Sequence, residues 1–390
     1  MEDKNIVFRN LNRFKLLTDK ILNNWDSYEF FLDYIIENFK NYLSLIPSFE
    51  GYVKKKLIEN KDVTICLCEK IIQAISDYLK GRMIIAYDDM KDAFSGINDI
   101  LKRKSSNRYE IPAEFGFKAR IIESDKLVPS REAMFHIPFE MRHLVKDNRY
   151  SIHGVPSIYL GKSIYTCYIE LGSPSLNNFW VSLFTFSDIN LIDLTLSSGF
   201  YDIGILLDYV KEDEEKYIVR LDRLVDDILL WPLIMACAIP CKYSKATFKQ
   251  EYIIPQILYE LCSEEYNNYV GIKYLSTKIK YVNKNIYQRA MENYALPAHN
   301  VRRSGYCPKL ASQLILTMPI AASQSQDIEI DIKESDSLCG LPILSNMHES
   351  LKNDETILSL DKMTIYFDRL VHSFMEERKT ELLAPLNGWG

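Results

Sequence analysis

At 390 residues the chain exceeds the roughly 250–300 over which a single hydrophobic core keeps growing, so more than one domain is expected. Apolar residues make up 47% and charged residues 26%, which excludes a disordered, collagen-like or fibrous chain. A net charge of −6 gives no bulk electrostatic support for nucleic acid as the main ligand.

In chain order, the N-terminus (MEDKNIVFRNLNRFK) lacks an apolar core of signal-peptide length. Between Met1 and Ile111 there is one proline, Pro47, whereas eight lie between Pro112 and Pro255. Proline breaks helices, so the first region can be mostly helical and the second cannot. Apolar residues recur at helical spacing in Phe30–Leu43 and Cys66–Leu79, predicting three or four helices that end near the basic run Lys102–Ser106. Further on, Phe179–Leu194 reads as one or two strands, Tyr217–Ala238 as a helix with Pro232 as a kink or end, and Glu251–Cys262 as a helix. Tyr269–Ser276, Leu314–Ile320 and the alternating Asp327–Lys333 read as strands, and Met363–Glu377 as an amphipathic helix. These elements give an α+β protein.

No run reaches the ~18 apolar residues of a membrane span; the longest, around Ile228–Ile239, is short and contains Pro232. The eight cysteines are scattered, so a cytoplasmic protein with reduced thiols and no membrane partner is expected. Cys66-x-Cys68 and Cys237-x3-Cys241 each lack the second ligand pair of a structural zinc site, so no metal is expected. Phosphate-loop, dinucleotide-fingerprint and nucleophile-elbow motifs are absent.

The segment from Phe135 to Leu171 stands out. Arg149 opens a strand-like stretch, a Gly154-Val155-Pro156 turn follows, and Ser157–Leu160 forms a second short strand containing Tyr159. Ser163 is placed to cap a short helix to Leu171, and Glu170, seven residues later, falls on the same helix face. An arginine, a tyrosine and a glutamate thus stand at intervals of ten and eleven residues.

The combination resembles the RES domain, a family named for its Arg, Glu and Ser. Its pattern is matched by Arg149-Tyr150, Gly154-Val155-Pro156, Ile158-Tyr159-Leu160 and Ile169-Glu170, with Arg120 resembling the family's upstream arginine. The likeness is specific over residues 117–171, weaker from 180 to 320 and absent from the first 105. The family serine has two counterparts here: Gln256, in Ile253-Ile254-Pro255-Gln256, and Ser276.

The resemblance implies an ADP-ribosyltransferase-like split mixed β-sheet holding NAD as substrate, with no tightly bound cofactor. It also implies a toxin that cleaves NAD, in a toxin–antitoxin pair or in anti-phage defence. The residue types suit that chemistry: Arg149 and Arg120 for the pyrophosphate, Tyr159 with Tyr150 for stacking on the nicotinamide, and Glu170 for the developing ribosyl cation. Gln256 or Ser276 would hold a carboxamide or ribose hydroxyl. The expected organisation is a helical regulatory or oligomerisation domain over residues 1–106, a catalytic domain over 107–340 and a helical extension over 341–390. Expected partners are an antitoxin or regulatory protein and further copies of the chain. A protein ADP-ribosyltransferase using the same site, and a non-catalytic helical interaction protein, are the competing readings.

Overall fold

The computed structural model describes residues 4–21, 25–106, 114–123, 128–186, 189–196, 214–262, 268–278, 291–298, 302–327 and 354–377. Its helices in chain order are α1 (Lys4–Ile21), α2 (Phe31–Leu45), α3 (Gly51–Glu59), α4 (Lys61–Leu79), α5 (Met83–Ser106), α6 (Ile164–Glu170), α7 (Glu214–Leu229), α8 (Trp231–Ala238), α9 (Ile253–Cys262), α10 (Pro308–Gln313) and α11 (Glu355–Glu377). The strands are β1 (Glu114–Ile121), β2 (Ser157–Gly161), β3 (Phe179–Phe186), β4 (Leu191–Asp193), β5 (Gly271–Leu275), β6 (Glu292–Pro297), β7 (Leu314–Leu316) and β8 (Ile320–Ala321). The α+β class read from the sequence is the one observed. Among the described residues five helices rather than three or four precede β1; α3 lies in the gap between the two periodic segments Phe30–Leu43 and Cys66–Leu79. The predicted strand at Arg149–Gly154 is irregular backbone, and residues 328–333 of the alternating run lie outside the described residues.

Two compact units divide the chain. The first comprises Met1–Arg108, Asn148–Tyr150 and Ile192–Asn267; the second comprises Tyr109–Asp147, Ser151–Leu191 and Asn268–Gly390. The sequence reading ends the helical part at residue 106, whereas here α7, α8 and α9 join it. The reason lies in the buried faces. Helix α2 buries Phe31, Tyr34, Ile35, Phe39 and Tyr42, one stripe at 3.6-residue spacing. Tyr42 stacks on Trp231 of α8 at 4.8 Å and donates its hydroxyl to the Ile228 carbonyl at 2.7 Å. Pro232, in the first turn of α8, has no N–H for the preceding helix, so α7 stops and a new helix starts. Two buried carboxylates on α7 answer two cations at the end of α5: Arg103 meets Asp226 at 2.6 Å and Lys104 meets Asp227 at 2.5 Å. The basic run near which the helices are expected to end is therefore the ion-paired last turn of α5.

The second unit is built on the sheet strands ordered β5-β6-β2-β1-β3-β7, with β8 pairing β3. β1 runs antiparallel to β3 from Glu114↔Phe186 to Ile121↔Phe179, but meets β2 only at Phe117↔Gly161. Side chains alternate across the sheet. One face packs Ile158, Leu160, Phe184, Tyr294 and Leu296 against Phe135 and Leu310. The other packs Phe115, Phe117, Val181 and Leu183 against Ile164 and Cys167 of α6 and Leu360, Met363 and Phe367 of α11.

One buried histidine fastens the first of these faces. His136 is 1% exposed; its Nδ1–H donates to the Ile137 carbonyl at 2.7 Å, and Nε2 accepts the Cys307 N–H at 2.8 Å. This pattern requires the neutral ring. Burial, with help from the Lys118 and Arg142 charges, pushes its pKa down from 6.5 to about 4. The unfolded chain takes up a proton near pH 6.5 that the folded chain refuses until about pH 4, so stability falls as pH is lowered through that window. The expected loss by pH 4.5 is about 2–3 kcal/mol. Urea titrations at pH 7 and pH 4.5 should show that much less acid destabilisation in His136→Gln; an equal loss in both proteins would mean that His136 is not the responsible group.

Candidate active site

Helix α6 places the carboxylate. Ser163 stands before it in extended backbone, and its Oγ accepts the Thr166 N–H at 3.0 Å, as the sequence predicts. Gly172 follows it at φ +82°, a left-handed conformation that glycine adopts without a Cβ penalty. The N–H groups of Gly172 and Ser173 cap the Ile169 and Tyr168 carbonyls at 3.0 Å each. The helix seats closely on the sheet at Gly161, where any Cβ would come within 2.8 Å of Cys167 Sγ. Two fixed ends and one close contact thus set the position of Glu170.

Glu170 meets residues from far along the chain. Its Oε1 accepts the Ser276 hydroxyl at 2.6 Å and Asn293 Nδ2–H at 3.0 Å. Ser276 is oriented for this, because its Oγ also accepts the Lys278 N–H at 3.3 Å. Lys278 Nζ lies 3.2 Å from Glu170 Oε2 and donates to the Glu170 carbonyl at 2.7 Å. Ser276 and Asn293 are buried, whereas the Glu170 side chain keeps 30% of its surface exposed and Lys278 58%. A carboxylate held through one oxygen by two buried donors, with its second oxygen covered by a mobile-length cation at the surface, can face a ligand once that lysine swings aside.

Register places the aromatic residues. On β6, Asn293 pairs Gly161 and Ala295 pairs Tyr159, while Tyr294 and Leu296 belong to the opposite, apolar face. Tyr159 therefore shares the sheet face of Asn293 and Glu170, and so does Tyr274, which pairs Asn293 from β5. Tyr159 is half-buried.

The other sequence candidates have other partners. Arg120 lies on the sheet face opposite Glu170: Phe117 and Ala119 pack toward α6, and Arg120 donates instead to the Phe135 carbonyl at 3.1 Å. Arg149, Tyr150 and Gln256 belong to the first unit. There Arg149 is 8% exposed and donates to the carbonyls of Cys237 at 3.2 Å, Glu251 at 3.1 Å and Ile239 at 2.8 Å, with its guanidinium over the Tyr252 ring. Tyr150 is buried edge-on to Tyr259, and Gln256 donates to the Asn148 carbonyl at 3.1 Å. Of the two counterparts to the family serine, Ser276 is the one that reaches Glu170. Sequence reasoning missed Asn293, Lys278 and Tyr274. Tyr274 and Lys278 flank Ser276, which was the available signal; Asn293 had none, because its relation to Glu170 exists only through strand pairing.

A protein of Bacillus subtilis (strain 168) named "Putative toxin YopC" is 31% identical to the chain over 305 residues, covering 76% of this chain and 66% of that protein. The chain thus spans just under two thirds of that relative's length. No family model matches the chain. No solved structure matches it. Among the described residues, no helix is long and apolar enough to cross a membrane.

The partners of Arg149 define a test. Three carbonyls at the end of α8 and before α9 depend on one planar, multidentate donor, which lysine cannot replace. Arg149→Lys should therefore lower stability by about 2 kcal/mol or more, since each orphaned buried acceptor costs about 1–3 kcal/mol. The check is the urea midpoint at neutral pH; an unchanged midpoint would release the guanidinium from this structural duty.

Proposed function

We propose that the chain is a toxin that cleaves NAD at the bond between nicotinamide and ribose, with Glu170 as the catalytic carboxylate. One observation carries the reading: the glutamate and the serine of the RES-like pattern, 106 residues apart, meet at 2.6 Å. The similarity to a protein named as a toxin supports the biological half of it.

The chemistry follows from the residue types. The C1′–N1 bond breaks heterolytically, its electron pair neutralises the pyridinium, and the ribosyl group becomes cationic. Water then attacks C1′ and loses a proton, giving nicotinamide and ADP-ribose; phosphate as the acceptor would give ADP-ribose 1-phosphate. A carboxylate beside C1′ stabilises the cation and can orient the acceptor. Ser276 and Asn293 act as positioning residues that keep Glu170 Oε1 fixed while Oε2 turns to the sugar. Tyr159, on the same face, supplies the surface for the nicotinamide ring. The metal is dispensable for this step because the leaving group is already activated by its own charge. In this scheme the helical unit has a regulatory or partner-binding duty, with an antitoxin as its partner.

Glu170→Gln keeps the shape and both hydrogen-bond partners in reach but removes the charge. Nicotinamide release from NAD should fall by about 10²–10³. Ser276→Ala should fall by about tenfold, the loss of one positioning hydrogen bond. Both variants should keep the wild-type Tm. The assay is run with and without phosphate, and NAD carrying labelled adenosine is followed as well. Turnover by Glu170→Gln at the wild-type rate would overturn the assignment. Label appearing on a protein instead of in free ADP-ribose would make the same site that of a protein ADP-ribosyltransferase.

A further inference from the structure

The sheet face opposite Glu170 holds two cations side by side. Lys118 and Arg120 stand two residues apart on β1, so their side chains leave the same face. Lys118 is 9% exposed, and its Nζ donates to the Phe135 carbonyl at 2.8 Å. Arg120 shares that same carbonyl. No carboxylate among the described residues pairs with either. The two charges also repel, and burial works against the charged state of both. A buried cation without a counter-charge is costly, and Lys104, also buried, follows the ordinary rule by pairing with Asp227.

The strand next to β1 adds two more donors on the same face. Ser182 lies directly across from Lys118, and Trp180 directly across from Arg120. Their neighbours Phe179, Val181 and Leu183 all pack on the α6 face, which puts Trp180 and Ser182 on the side of the cations. Ser182 is fully buried and Trp180 is 7% exposed. Among the described residues, neither Ser182 Oγ nor Trp180 Nε1 has a hydrogen-bond partner. Buried donors left without an acceptor are rare in folded proteins and costly. Four donor groups, two of them charged, thus share one patch of sheet with a single carbonyl between them. Arg120 and Tyr306, which interact electrostatically, are only partly buried.

We propose that this patch is a binding site for a phosphate-class oxyanion, held by Lys118, Arg120, Trp180 and Ser182. A phosphate dianion matches both cations, whereas a carboxylate would leave one charge uncompensated. Its oxygens supply acceptors for the indole N–H and the serine O–H, and a guanidinium suits them bidentately. The site lies across the sheet from Glu170 and does not rest on the NAD reading.

Inorganic phosphate and ADP are the two probes, titrated calorimetrically into the full chain in phosphate-free buffer, with chloride at equal ionic strength as the control. Wild type should bind at least one of them, with a raised Tm and a changed Trp180 fluorescence that Trp180→Phe abolishes. Binding of both assigns the free ion as a sufficient ligand; binding of ADP alone assigns a nucleotide-borne phosphate. Lys118→Met should weaken binding at least tenfold and Ser182→Ala several-fold. Because Lys118→Met removes an uncompensated charge, its Tm without ligand should match or exceed wild type, an outcome that a purely structural lysine would not give. The proposal is overturned if neither probe binds, if both variants bind as tightly as wild type, or if Lys118→Met alone loses its fold while Ser182→Ala binds normally.

Discussion

Everything at the carboxylate depends on a seven-residue helix with two fixed ends. At ~1.5 Å per residue, α6 is only about two turns long and too short to hold its shape by propensity alone. Ser163 caps one end, Gly172 turns the chain left-handed at the other, and Gly161 lets Cys167 settle against the sheet. One residue more or less between those ends would rotate Glu170 by ~100° and carry it away from Ser276 and Asn293. The hydrogen bonds at 2.6 and 3.0 Å follow from the caps.

The same sheet keeps opposite charges apart by alternation. Asn293 on β6 points toward Glu170, and its neighbour Tyr294 points into the apolar face. On β1, Phe117 packs beneath α6 while Lys118 points the other way. A carboxylate and a cation pair can therefore be built on one sheet without meeting, because a single-residue step in a strand changes the face.

Three buried cations show three solutions to one desolvation problem. Lys104 is paired with Asp227, a direct counter-charge. Arg149 is surrounded by main-chain carbonyls, whose dipoles stand in for an anion and whose geometry suits a planar fork. Lys118 has one carbonyl, shared with Arg120. The first two are closed arrangements that stabilise a fold. The third is electrostatically incomplete among the described residues, and it is the one from which a bound anion is proposed.

Local rules made a large part of this protein legible from residues alone. Helical periodicity located α2 and α4, proline located the α7–α8 break, and aromatic and β-branched runs located β3 and β5. The cap at Ser163 and the place of Glu170 at the end of α6 were also readable, since both depend on neighbours within a turn. Tertiary structure alone decided the rest. Residues 192–267 join the N-terminal helices because Tyr42 needs Trp231 and Arg103 and Lys104 need Asp226 and Asp227, pairings separated by more than a hundred positions. Ser276 rather than Gln256 meets Glu170 because β5 and β6 pair in one register, which also brings in Asn293. Arg149 and Arg120 look alike in sequence, as cations near aromatic residues. One became a clasp for carbonyls and the other half of a cation pair, because burial and strand parity, not residue type, determine what a guanidinium faces.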